Sequence, residues 1–206
     1  MQLVLASQSP ARLGLLRNAG LDPIVVVSGV DEDAVAAALT DPSPSELVLA
    51  LSAAKAEAVL EAVAADHPDA VVIACDSMLS INGEMVGKPG SPEAARERWA
   101  AMAGRSGELL TGHTVVRLDG GVRAKEASGA YVTTVRFGTP SPAEVDAYVA
   151  TGEPLHVAGG FTLDGLGGWF VEGIDGDFSS VIGLSLPLTR RLLAEVGVSV
   201  VDLWRP

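Results

Sequence analysis

Leu3-Val4-Leu5-Ala6-Ser7-Gln8-Ser9-Pro10-Ala11-Arg12, with Leu13, Leu15, Leu16 and Ala19 following up to Gly20, decides how this chain is organised. Its first three residues read as a short buried strand, and the apolar positions after Pro10 recur at near-helical spacing. Ser9 is a natural N-cap, Pro10 suits the first helical position, and Gly20 suits the stop. Ile24 to Val27 reads as a second strand. Strand, helix, strand in immediate succession is the unit from which α/β sheets are built.

The Ser-Pro device recurs downstream. Ser43-Pro44-Ser45-Glu46 is a capping box opening an alanine-rich helix to about Ala65, and Ser141-Pro142-Ala143-Glu144 is another, opening a helix to about Ala150. Ser91-Pro92-Glu93 opens a further helix to about Ala103. Ala70 to Cys75 reads as a fully buried strand ending at Asp76. Asn82-Gly83 and Asp119-Gly120-Gly121 mark two hairpins, Met78 to Val86 and Leu109 to Phe137. Trp169-Phe170-Val171 reads as a strand, Leu186 to Val196 as a helix, and Val198 to Leu203 as a closing strand. Crossovers mixed with hairpins predict an α/β fold with a mixed sheet and flanking helices. With no linker or repeat, residues 1–206 read as one domain.

Composition narrows the function. The 206 residues are 48% hydrophobic, with 14 basic and 26 acidic side chains and a formal net charge of −12. A chain so acidic repels phosphate backbones and anionic lipid at long range, so no nucleic-acid or membrane partner is expected. No run of ~18 uncharged apolar residues is present, and the N-terminus lacks the basic region of a signal peptide. The expected location is cytoplasmic. Cys75 is the single cysteine, which excludes an internal disulfide framework.

Several residues could carry chemistry. Backbone N–H groups at the start of the first helix, the hydroxyls of Ser7 and Ser9, and Arg12 form a ready anion site; the same segment also reads as an ordinary capped helix. Lys55 lies among small residues on the alanine-rich helix, where a solvated lysine near Glu57 and Glu61 is the plain alternative. Lys88, in Gly87-Lys88-Pro89, reads equally as a solubilising turn charge. Asp76 closes a buried strand, the place where open α/β sheets put ligand chemistry, and also a place for a turn aspartate. Asp31-Glu32 suits either a ligand or a first helical turn. Two carboxylate sites with sparse cations suit a metal-assisted phosphate reaction. Phosphate-loop, dinucleotide-binding and zinc-protease motifs are absent from the sequence. Cys75 and His113 read as core residues.

Taken in order, these blocks resemble the Maf family of nucleoside triphosphate pyrophosphatases. The similarity runs from Leu3–Arg12 through Val30-Asp31-Glu32, Lys55-Ala56, Ala74-Cys75-Asp76-Ser77, Gly87-Lys88-Pro89 and Gly112-His113-Thr114-Val115. It continues through Tyr148–Pro154 and Ala158–Phe161 to Asp175–Leu184. The resemblance implies a twisted mixed sheet with two lobes around a central cleft, as in the inosine-triphosphate pyrophosphatase group. It implies hydrolysis of a nucleoside triphosphate to the monophosphate and pyrophosphate, assisted by a divalent cation (Mg²⁺ or Mn²⁺). Asp76, Glu32, Lys55 and Lys88 would be catalytic, with Asp76 as proton acceptor and Asp76 and Glu32 as metal ligands. Ser7, Ser9, Arg12, Ser77 and Asp164 would bind substrate. A homodimer is among the assemblies the resemblance implies. An exposed aspartate, with a pKa of ~3.9, is a weak base at neutral pH, so metal help is expected.

Three positions depart from the family pattern. Ala11 stands where an arginine is usual, Ser77 where a threonine is usual, and Asp164 where the pyrimidine-preferring branch has glutamine. These positions are linked to base selection in the family, so the preferred base stays unassigned. The alternative function is a nucleotide-binding regulator of septum formation with little turnover.

Overall fold

The computed structural model describes residues 1–205. The chain runs β1 (Gln2–Leu5), α1 (Pro10–Asn18), β2 (Ile24–Val25), α2 (Glu32–Ala37), α3 (Pro44–Asp66), β3 (Ala70–Ile81) and β4 (Glu84–Val86). It continues with α4 (Pro92–Met102), β5 (Ser106–Asp119), β6 (Val122–Phe137), α5 (Pro142–Ala150), β7 (Val171–Asp175), α6 (Phe178–Ile182) and α7 (Leu186–Glu195). The strands form one sheet in the order β2-β1-β3-β5-β6-β7, with β4 paired to β3. β1 lies parallel to β2 and β3, whereas β4 runs antiparallel to β3 and β7 to β6. The α/β class with a mixed sheet is the one adopted.

All four Ser-Pro signals start helices. Ser9, Ser43, Ser91 and Ser141 each accept the backbone N–H three residues on, and both capping boxes close. Asn82 and Gly83 take positive φ of 53° and 83°, the pair of left-handed residues a two-residue hairpin needs.

The chain divides into two compact units. The first comprises Met1–Asp76, Thr111–Tyr131 and the segment from Gly183 onward; the second comprises Ser77–Leu110 and Val132–Ile182. In the first unit the period-2 alternation of strands sorts two cores. Leu3, Leu5, Val71, Ile73 and Cys75 pack with Leu16 of α1 and Leu188, Leu192 and Leu193 of α7. The intervening Val4, Ala6, Ala70, Val72 and Ala74 pack with Ala56, Val59, Leu60 and Val63 of α3. Helix α3 comes so near β5 that a Cβ on Gly112 would lie 2.2 Å from the Val48 carbonyl oxygen. In the second unit Trp99 is fully buried, meets Phe137, Tyr148 and Phe170 edge to face, and donates its indole N–H to Gly160 O at 3.0 Å.

Three expected elements differ. The strand expected to stop at Asp76 continues as one element to Ile81. Leu166–Phe170 is a 3-10 turn, and its strand begins only at Val171. Val200–Leu203 is likewise a 3-10 turn rather than a strand, with Asp202 N–H bonded back to Ser199 O. Short apolar runs carry no periodicity that separates a strand from such a turn.

Candidate active site

Asp76 continues the even-numbered register of β3, whose Ala70, Val72 and Ala74 face α3. Its carboxylate therefore points at that helix. The buried stripe of α3 runs Val48, Leu51, Ser52, Lys55, Ala56, Val59, Leu60, Val63, the i, i+3, i+4 spacing of one face. Lys55 occupies a stripe position, and its ammonium lies 2.5 Å from Asp76 Oδ1 and 2.7 Å from Glu32 Oε1. Lys55 is 9% and Asp76 5% exposed, so neither the solvated lysine nor the exposed aspartate considered above is present. Glu57 instead pairs with Arg123. Glu32 arrives from the first turn of α2, whose N-cap Asp31 accepts from Ala34 N–H at 3.0 Å.

The β1–α1 loop supplies the next group. Arg12 Nε donates to Gly183 O at 2.7 Å, and its Nη1 donates to Ser7 Oγ at 3.3 Å. Ser7 Oγ also accepts Ser9 N–H at 3.1 Å. With both acceptor positions used, the Ser7 hydroxyl has its proton to offer. Ser9 is committed differently, since its oxygen caps the helix through Arg12 N–H.

Ser77, Lys88 and Asp164 belong to the second unit. Lys88 is exposed. Its turn is anchored at Gly87, whose carbonyl accepts from Arg98 Nη1 and from Gly159 N–H. Asp164 is exposed at the tip of a loop whose neighbours Thr162, Leu166 and Gly167 all bond to Glu153. Arg98, in the run Arg96-Glu97-Arg98, and Glu153, inside the Tyr148–Pro154 block, carry no local signal of these contacts in the sequence.

Two residues are structural, as expected. Burial pushes the Cys75 thiol up to about 12, with the nearby Arg12 and Lys55 pulling it back and Asp76 adding to the rise. His113 is fully buried; its Nε2 accepts Ser185 N–H at 2.8 Å, so Nδ1 carries the hydrogen facing Thr111 O at 3.0 Å.

Glu32 and Asp76 converge on the Lys55 ammonium, so an ion held by the same two carboxylates would sit beside Lys55 rather than in its place. Among the described residues no cluster of three or more His, Cys, Asp or Glu could hold a metal. Two carboxylates with the remaining ligands drawn from water and phosphate is the habit of Mg²⁺, not of an all-protein cage. The pair fits such an ion.

Buried carboxylate–ammonium chemistry beside an arginine-bearing helix start, on a mixed α/β sheet, defines a candidate site for a phosphorylated ligand. The profile of the family described as "Maf-like protein" matches residues 2–196, and the chain belongs to this family. It is 72% identical over 207 residues to the nucleoside triphosphate pyrophosphatase of Saccharopolyspora erythraea, covering 100% of this chain and 98% of that one. The protein of the same name from Nocardia farcinica is 61% identical, with 98% of this chain and 96% of that one covered. The Staphylococcus aureus Ham1 protein overlaps 67% of this chain and 72% of its own at a TM-score of 0.40 and 15% identity. That overlap is too distant to bear on the site. No helix among the described residues is long and apolar enough to cross a membrane.

Proposed function

We propose that this chain is a nucleoside triphosphate pyrophosphatase. Full-length relatives of that name support the reaction, and the observation that carries the site is the Lys55 ammonium held between Asp76 and Glu32. Water attacks the α-phosphorus, the bond from that phosphorus to the bridging oxygen breaks, and pyrophosphate leaves. Lys55 fixes Asp76 through Oδ1, and the second carboxylate oxygen takes the proton from the attacking water. Arg12, oriented by Gly183 O and Ser7, and Lys88 stabilise charge on the phosphates. A divalent cation held by Asp76 and Glu32, when bound, would polarise the phosphate oxygens and acidify the water.

Ser7 donates its hydroxyl to a phosphate oxygen, and Ser9 acts through the cap that forms the helix start. Ser77 and Asp164 are assigned to base selection by their positions in the shared motifs. The whole chain works as one catalytic domain, in the cytoplasm and as a homodimer. Sedimentation at micromolar concentration tests the assembly.

Pyrophosphate release from a panel of purine, pyrimidine and methylated-base triphosphates, with Mg²⁺ or Mn²⁺, tests the reaction. Release that falls about 10²–10⁴-fold in Asp76→Asn supports it. Binding of triphosphates without release of pyrophosphate from any of them overturns it in favour of a nucleotide-binding regulator.

A further inference from the structure

Glu153 gathers four donors onto one carboxylate. Its Oε1 accepts from Tyr148 Oη at 3.0 Å, Thr162 Oγ1 at 2.5 Å and Gly167 N–H at 3.0 Å, and its Oε2 accepts from Leu166 N–H at 3.1 Å. Thr162 Oγ1 accepts Gly167 N–H as well, at 3.2 Å. Thr162 and Leu166-Gly167 are the two ends of a short loop, so one carboxylate ties both. Tyr148 is itself held by the edges of Trp99 and Phe170, with centroids 5.8 Å and 5.7 Å away. The tie leaves no room for side chains beside it. A Cβ on Gly165 would come 2.8 Å from Glu153 Oε2, and one on Gly167 would come 2.6 Å from Tyr148 Oη.

What the tie holds is not core. Leu163 faces partly outward, and Asp164, Gly165 and Leu166 are exposed. A loop whose tip buries nothing gains no packing from being fixed, yet this one is bonded at both ends to an ionised group, the stronger kind of hydrogen bond. Fixing the loop fixes where the Asp164 carboxylate stands. A charged acceptor selects among ligands only if it is held in place, since a site that can move to satisfy any partner rejects none.

We propose that Glu153 is a positioning residue for base selection, clamping the 162–167 loop so that Asp164 meets the base of the bound triphosphate in one orientation. The proposal rests on the reading of Asp164 given above. Glu153 does not touch substrate, because its oxygens are taken up by the loop and by Tyr148.

The test compares kcat and KM for the triphosphate panel in wild type, Glu153→Gln, Asp164→Asn and the double variant. The glutamine keeps the shape but turns one acceptor oxygen into a donor facing other donors. Discrimination between the best and the poor bases falls about tenfold in Glu153→Gln, mainly through KM, and the double variant is no less selective than Asp164→Asn alone. Tyr148→Phe, which keeps the ring and removes one donor, gives a smaller loss in the same direction if Glu153→Gln fails to fold. Amide exchange at Leu166 and Gly167 speeds up in both variants without substrate present. An equal fall in kcat/KM for every base, or unchanged exchange at the two amides, overturns the proposal while leaving the pyrophosphatase reading intact. A wild-type chain that releases pyrophosphate from no triphosphate removes both.

Discussion

Lys55 Nζ lies 2.5 Å from Asp76 Oδ1, and the contact joins an apolar strand face to a helix stripe that is apolar apart from Ser52. Asp76 takes the next position of a strand face made of Ala70, Val72 and Ala74, and Lys55 takes a place in a helix stripe of Val48, Leu51, Val59 and Val63. Side-chain exposure rises from 7% at Asp76 to 11% at Lys55 and 45% at Glu32. The charges thus form a short line leading from the core of the first unit to solvent. A buried ion pair is weak evidence for stability, because well-packed apolar residues of similar volume often do as well or better. Its presence where both registers call for apolar side chains is therefore an argument for chemistry.

Removing one charge and removing both should have opposite effects on stability. Lys55→Met leaves the Asp76 carboxylate buried with no counter-charge and should cost about 3–5 kcal/mol. The double variant Lys55→Met/Asp76→Leu should recover most of that loss, or exceed wild type, while releasing no pyrophosphate. Urea unfolding of the two variants beside wild type checks the order. A double variant less stable than Lys55→Met would make the pair structural.

Gly112 is fixed by space. Any Cβ there meets the Val48 carbonyl oxygen at 2.2 Å and Leu49 N at 2.8 Å, backbone atoms that cannot turn aside as a flexible side chain could. Gly112→Ala should force α3 off β5 and cost about 1–3 kcal/mol, the usual penalty of overpacking. Because α3 also carries Lys55, the variant should lose turnover beyond its loss of stability. Denaturant midpoints and pyrophosphate release, measured at a temperature where the variant is fully folded, separate the two effects.

How much of this was legible in the sequence depended on whether the signal was local. Helix starts were, since a Ser-Pro step with glutamate at the third helical position closes its own hydrogen bonds at Ser43 and Ser141. So was the Asn82-Gly83 hairpin, set by two left-handed residues. Trp169-Phe170-Val171 and Val198–Leu203 read as strands, yet 3-10 turns take Trp169-Phe170 and Val200–Leu203, because short apolar runs encode no period. At the site, motif resemblance pointed to Lys55, Glu32 and Asp76. That they touch is a long-range fact, which follows only once the parity of β3 and the stripe of α3 are both known. Glu153 lies inside the Tyr148–Pro154 block, but nothing local shows what it accepts, because Thr162 and Leu166-Gly167 stand 9 to 14 residues further along the chain.

Cys75 should be inert in the folded chain. It is fully buried, and burial holds its thiol at about 12 against the pull of Arg12 and Lys55. Only the thiolate is nucleophilic, so an aromatic disulfide reagent at pH 8 should label Cys75 far more slowly than an exposed thiol. In denaturant the same reagent should label one thiol per chain. Rapid labelling without denaturant would mean that β3 opens readily beside Asp76.

The stability that Glu153 contributes should depend on acid. Burial pushes its carboxyl up, but the Thr162 hydroxyl, the Leu166 and Gly167 amides and the Tyr148 hydroxyl together outweigh that effect and hold it below the usual carboxylate range. A group whose pKa is lowered by folding stabilises fully above its unfolded value of ~4.3. That contribution is lost as the pH falls through the folded value, when the folded chain must take up the proton as well. The melting temperature of wild type should therefore exceed that of Glu153→Gln by a constant margin from about pH 7 to about pH 5, and the margin should shrink below about pH 4. Thermal melts of both proteins across this range read it directly. A margin that widens in acid would mean that the protonated carboxyl is the form the loop prefers, and the four donors would then have to be rearranged around it.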